Sequence, residues 1–326
     1  MIFFSIKNNK QVKYLSFLIN LIVLGLAIKC IYDRFAYIPE YYFFQNFLYS
    51  NLTLPSTMNG RNLMLCSNST MPLTGKHLDY ILTGVKKFLA PHNVTEILLA
   101  TYAYPAIKGE INTHETDKIV TEKIIPAFAR IGIKVRVLDT EASQEVQQNE
   151  IRNAQAIYMT GGNTFWITRS LHKNNLIDVL REKVNSGMPY IGVSSGTNVT
   201  CPTMQTTNDM PICCIPSCDT LGLIPFQLNV HFNEFKQGQG FSGESRTQRI
   251  CQYIQENRTF KNTNIPTFVL GLQEGTCLHV SGDKAELVGL QNRPAVLMQI
   301  INGTFNKKYI KPGTRLDNLL KLNSNI

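Results

Sequence analysis

Charge is scarce in this 326-residue chain: only 17% of its residues are Asp, Glu, Lys or Arg. A chain that stays disordered carries more charge and fewer apolar residues, whereas 44% here are apolar, enough for one good-sized core. The basic excess, 32 residues against 23 acidic ones, is not gathered into a stripe. Lys7, Lys10, Lys13, Lys29 and Arg34 flank an N-terminal apolar stretch whose only acid is Asp33, and the rest of the chain holds 27 basic against 22 acidic residues. With neither a basic stripe nor a reading motif, nucleic acid is not expected as a partner. No Cys-x-x-Cys pair is matched by a second such pair or by a His pair, so the eight cysteines predict no metal site. Cys213, Cys214 and Cys218 crowd one loop and would pair there or elsewhere only outside the cytosol.

No charge interrupts Tyr14 to Ile28, and three lysines precede it, the arrangement of a secretory signal or a signal anchor. The run is shorter than the about 20 residues of a spanning helix. Extended to Tyr32 with Lys29 snorkelling, it reaches far enough. No small-x-small cleavage site follows cleanly. The expectation is a cytosolic tail over 1–13, a signal anchor or signal peptide over 14–32, a stalk over 33–60, and a folded domain over 61–326. That domain would lie on the lumenal or extracellular side, tethered to the membrane, or secreted if the segment is cleaved; a cytoplasmic protein with a merely apolar extension is the lesser alternative. Sequons begin at Asn51, Asn68, Asn93, Asn198, Asn257 and Asn302. They suit that side, but in an Asn-rich chain several arise by chance.

From Asn62 onward, short apolar runs alternate with helical patterns. Strands are expected at 63–66, 96–100, 135–138, 156–159 and 190–193, and helices at 76–89, 116–131 and 175–187. This rhythm predicts an α/β fold of three layers, αβα, around a mostly parallel sheet. In such sheets the loops at the carboxyl ends of the strands build the site.

At one such end, Tyr190-Ile191-Gly192-Val193 runs straight into Ser194-Ser195-Gly196. A strand entering Gly-x-Ser-x-Gly lifts the central serine out of the sheet on a tight turn, and the glycines leave room for the strained backbone and for substrate. Ser194 is therefore the candidate nucleophile, and Ser195 a candidate donor of its backbone N–H to an oxyanion hole. Gly161-Gly162-Asn163-Thr164-Phe165 is a second turn whose bare amides, that of Gly162 first, can point at an oxyanion; a plain βα connection is the commoner use of Gly-Gly. It lacks Gly-x-Gly-x-x-Gly and Gly-Lys-Ser/Thr, and no cofactor is expected. Of six histidines, His77, His92, His114 and His172 read as surface residues. His231 ends the strand-like run Phe226 to Val230 and ranks above His279 as the base.

The strings Gly161 to Phe165, Tyr190 to Asn198, Thr206-Thr207-Asn208-Asp209-Met210-Pro211-Ile212, Pro225 to Phe232, Gly243 to Ile250 and Gly271-Leu272-Gln273-Glu274-Gly275 together resemble the α-aspartyl dipeptidases of peptidase family S51. The resemblance spans roughly residues 60–300 and implies a class I glutamine amidotransferase-like, flavodoxin-like fold. It implies Ser194 as nucleophile, His231 as general base and Asp209 as the acid that orients it, with Glu274 the rival third member. It also implies hydrolysis of dipeptides and some tripeptides that begin with aspartate, through an acyl-enzyme. Arg246 is the candidate cation for the substrate side-chain carboxylate, with Asn163 and Glu274 as further substrate-binding candidates. Val193 and Ser195 stand where the family usually has tryptophan and alanine, and neither change removes a catalytic group. Two other readings stay open at this stage: a cyanophycinase-like or isoaspartyl-directed member, and a catalytically silent tethered binding protein. An amidotransferase would want cysteine at the elbow.

Overall fold

The computed structural model describes residues 60–71, 74–104, 118–234, 243–259 and 268–321. The expected tail and membrane segment, most of the stalk, and His114 lie outside them. Among the described residues, no helix is long and apolar enough to cross a membrane.

Apolar side chains alternate along β1 (Asn62–Cys66), so Leu63 and Leu65 enter one core while Met64 and Cys66 enter another. Alternation of this kind places a strand between two apolar layers. The same division holds along β2 (Glu96–Ala100), where Leu98 and Leu99 part company, and along β4 (Ile157–Met159). Between β1 and β2 lies α1 (Leu82–Leu89), which packs Leu82, Val85, Phe88 and Leu89 into the second core. A π-helical turn (Val120–Ile124) and α2 (Ile125–Ala129) then lead to β3 (Lys134–Val137), with Ile124 and Phe128 in that same core. The opposite face is covered by α3 (Gln144–Asn153), α4 (Thr164–Lys173) and α5 (Ile177–Asn185) through Ile151, Ile167, Leu171, Leu180 and Val184. Three layers follow directly, as expected.

The main sheet has the order β3-β2-β4-β5-β1-β8-β9, where β5 is Tyr190–Val193, β8 is Thr276–Ser281 and β9 is Lys284–Gly289. Its first five strands are mutually parallel, and β8 and β9 extend it antiparallel. After β5 comes the short α6 (Ser195–Asn198). A second sheet, β11-β10-β7-β6, joins β6 (Gln227–Asn229), β7 (Phe268–Gly271), β10 (Ala295–Ile301) and β11 (Thr304–Ile310). Ile250 and Ile254 of α7 (Arg246–Thr259) pack with Val269, Val296 and Met298 of this sheet.

Two helices differ from expectation. The one expected from 76 starts at Leu82, because His77 pairs with Thr70 in a β-bridge and Leu78 takes a φ of 51°. The one expected over 116–131 is split at Pro126. Proline has no N–H to offer the turn before it, and that turn widens to a π-helix.

Candidate active site

The elbow is built by close backbone approach. A Cβ on Gly192 would lie 2.5 Å from the carbonyl oxygen of Gly196, and one on Gly196 would lie 2.2 Å from that of Met159. Tyr190 Oη donates to Gly196 O at 2.6 Å, and Ser194 N donates to Cys66 O at 3.0 Å. Held from both sides, Ser194 adopts φ 53° and ψ −115°. Such a conformation costs a side-chain-bearing residue about 1–3 kcal/mol and persists only where the surroundings enforce it. Its result is a serine hydroxyl raised above the carboxyl end of β5.

β6 delivers His231 to the same place. The His231 N–H donates to Ser67 Oγ at 2.9 Å, and Ser67 Oγ donates in turn to Leu272 O at 2.9 Å. The ring then stands with Nε2 2.8 Å from Ser194 Oγ and Nδ1 2.9 Å from Glu274 Oε1. A carboxylate only accepts, so Nδ1 carries the ring proton and Nε2 is left to accept from the serine. Glu274 lies in the turn between β7 and β8, and it is this carboxylate that reaches the imidazole.

Asp209, expected in that position, is elsewhere. Its Oδ2 accepts from Thr164 N at 2.7 Å and from Thr164 Oγ1 at 2.5 Å. The N-terminus of α4 offers free N–H groups and the positive end of the helix dipole, and the carboxylate settles there. The surrounding string acts as a brace. Thr206 Oγ1 donates to Leu228 O at 2.7 Å, and Asn208 Nδ2 donates to Val230 O at 2.8 Å, tying the strand that carries His231 to the start of α4. Asn163 caps α4, accepting from Phe165 N at 2.9 Å and Trp166 N at 3.2 Å while its Nδ2 donates to Met210 O at 3.0 Å. The side chain expected to bind substrate is thus engaged with the backbone, and Asn163 is not among the residues lining the cavities described below.

Ser195 Oγ donates to Gly162 O at 2.5 Å and locks the two glycine turns together. The backbone N–H groups of Gly162 and Ser195 make no hydrogen bond among the described residues. Gly162 has φ +146°, and a Cβ there would meet Ala103 O at 2.5 Å. A cavity of about 230 Å³ opens between this turn and the serine, and His77, Tyr104, Tyr158, Ser194, His231 and Glu274 are among its lining residues. A second cavity of about 220 Å³ shares His231 and Glu274 and is lined by Arg246, Arg293, Asn233 and Gln273. Burial pulls the Arg246 guanidinium below its usual range, and Glu274 opposes that shift.

His77 corrects a second expectation. It is buried rather than on the surface, with Nε2 2.7 Å from Tyr158 Oη. Burial, reinforced by Lys123 and Arg130, lowers it to about 4. His92 and His172 remain partly exposed. Arg293, Ser67 and His77 gave no recognisable signal in the sequence: each stands outside the strings quoted above and reaches the site only through the second sheet, the end of β1 or the turn before α1. Among the described residues, no three His, Cys, Asp or Glu side chains gather to hold a metal ion.

The sequence pattern of a family described as Peptidase family S51 matches residues 63–288. The chain is 36% identical over 228 residues to "Peptidase E" of Streptomyces coelicolor, covering 70% of this chain and 84% of that protein. It is 35% identical over 247 residues to "Probable alpha-aspartyl dipeptidase" of Drosophila melanogaster, covering 76% and 93%. The crystal structure of a peptidase from an acI-B1 Actinobacterium superimposes with a TM-score of 0.51 at 17% identity, covering 79% of this chain and 98% of that one, a likeness of fold.

Proposed function

Because the chain belongs to peptidase family S51, a family of serine-type peptidases, we propose that it hydrolyses dipeptides and some tripeptides with N-terminal aspartate through an acyl-enzyme on Ser194. The observation that carries this reading is the unbroken chain of hydrogen bonds from Ser194 through His231 to Glu274, at 2.8 and 2.9 Å. Ser194 Oγ attacks the scissile carbonyl as His231 Nε2 takes its proton, and the Glu274 carboxylate stabilises the imidazolium that forms. The free N–H groups of Gly162 and Ser195 receive the oxyanion. The imidazolium then passes the proton to the leaving amine. Water, activated by the same imidazole, releases the aspartyl group and restores the serine.

Two cavities support the specificity. At about 230 and 220 Å³ they are smaller than the roughly 300–1,000 Å³ of drug-sized sites, in keeping with a short peptide substrate. Arg246 and Arg293 in one of them offer two guanidinium groups to a carboxylate-bearing substrate. The membrane-tethered or secreted placement rests on the uncharged stretch within 14–32 and the lysines before it.

The test is hydrolysis of Asp-Leu, Leu-Leu and β-linked Asp-Leu by wild type and Ser194→Ala. The proposal expects turnover of Asp-Leu by wild type alone. Comparable rates on Asp-Leu and Leu-Leu would remove the specificity, and preference for the β-linked peptide would favour an isoaspartyl-directed enzyme. Equal turnover by Ser194→Ala would remove the nucleophile.

A further inference from the structure

Behind the site, on adjacent strands, lie two cysteines that the mechanism does not use. Cys66 closes β1 and Cys277 is the second residue of β8, and the two are directly opposite in the antiparallel register. Both are fully buried, and their sulfurs stand 2.8 Å apart. Two non-bonded sulfurs prefer a separation nearer that of ordinary carbon contacts, about 3.5–4.0 Å, so this backbone already brings the pair closer than thiols need.

The hydrogen-bond pattern shows that the backbone suits a covalent link. Ser67 N donates to Thr276 O at 2.9 Å, and Gly282 N donates to Arg61 O at 2.9 Å. These rungs mark the hydrogen-bonded pairs of the ladder. Cys66 and Cys277, one residue along, therefore form a non-hydrogen-bonded pair, in which Cα atoms lie about 4.5 Å apart and side chains lean together. That spacing falls within the roughly 4.4–6.8 Å range that disulfides adopt. From 2.8 Å the sulfurs have only to close to the about 2.05 Å of a disulfide.

We propose that Cys66 and Cys277 are joined by a disulfide when the chain folds in an oxidising compartment. The oxidant is a low-molecular-weight disulfide. One thiolate attacks it and releases one small thiol, forming a mixed disulfide; the second thiolate then attacks the protein sulfur and releases the other small thiol. Two protein thiols lose their protons and two electrons pass to the oxidant. Exchange takes place before the strands close, since burial holds the Cys66 thiol un-ionised in the folded chain. Once formed, the bond is shielded by the same burial. It ties together the two strands whose ends carry Ser67, which holds the His231 backbone, and Glu274, which holds its ring.

The test refolds the wild-type full chain either in a mixture of oxidised and reduced glutathione or in excess dithiothreitol, followed by alkylation under denaturing conditions and peptide mapping. The glutathione-refolded chain is expected to yield a linked peptide containing Cys66 and Cys277 that survives alkylation and is split by dithiothreitol. It is also expected to melt about 10 °C above the reduced chain, the scale set by cross-linking a loop this long. That difference should vanish in Cys277→Ala, while Cys214→Ala retains it. Alkylation of both Cys66 and Cys277 in every glutathione-refolded preparation would overturn the proposal, as would a linked peptide that pairs either cysteine with Cys213, Cys214 or Cys218.

Discussion

Replacing Glu274 by glutamine removes one negative charge while keeping an acceptor beside His231 Nδ1. The magnitude follows from exposure. The His231 and Glu274 side chains are 34% and 46% exposed, so their interaction lies between the aqueous and the protein-surface limits. For unit charges about 4 Å apart those limits are roughly 1 and 4 kcal/mol. A loss of about 2 kcal/mol, felt when the imidazolium forms, slows the chemical step about 30-fold and leaves KM nearly unchanged. Asp209→Asn provides the contrast. Its carboxylate accepts two hydrogen bonds from Thr164 and touches no reacting group. Weakening a charge-assisted bond of about 1.5–3 kcal/mol should lower Tm by about 5 °C and leave kcat within a few-fold. Steady-state kinetics on Asp-Leu, with a melting curve for each variant, separates the two. A 30-fold loss in Asp209→Asn with Glu274→Gln near wild type would refute the assignment of Glu274.

His77 predicts a pH dependence. Its folded value of about 4 lies below the ordinary 6.5, so the unfolded chain binds a proton that the folded chain refuses. Stability therefore rises with pH across that window and is lost as pH falls through it, by up to about 3 kcal/mol; urea titrations of wild type against His77→Gln should show the slope disappear in the variant, and an unchanged slope would contradict the burial. Gly196→Ala forces a Cβ to 2.2 Å from Met159 O, which no rotamer relieves. Urea denaturation should show a loss of about 3 kcal/mol or more, and a wild-type midpoint would contradict the packed elbow. If the domain is lumenal, glycans belong on exposed Asn93 and Asn302, whereas Asn68 and Asn198 are buried and hydrogen-bonded. Glycopeptide mapping that found Asn198 occupied in folded protein would oppose this account.

The parallel half of the sheet was legible because its strands are short apolar runs, each followed by a helix or a glycine turn. The elbow was legible because chemistry restricts it to few residue types. The carboxylate beside His231 was legible only as a pair of candidates, with Asp209 ranked ahead of Glu274. Sequence order places Asp209 between Ser194 and His231, but pairing of β6 with β7 brings the turn after Gly271 beside His231, a long-range fact that no local pattern carries. His77 was misplaced for a similar reason. Lys76 before it and Asp79 two places on are polar, yet His77 is bridged to Thr70 and its ring lies inward against Tyr158. The second sheet escaped notice because β10 and β11 form a hairpin of mixed polarity at the edge, with Lys307 and Lys308 exposed.

The central claim is that Ser194 carries the acyl group. An activated aspartyl ester, mixed with the enzyme and quenched in acid within one turnover, is followed by peptide mapping of the protein. The account predicts the mass of one aspartyl residue on the peptide containing Ser194, absent in Ser194→Ala. An aspartyl adduct on any other residue, or full turnover by Ser194→Ala, would contradict it.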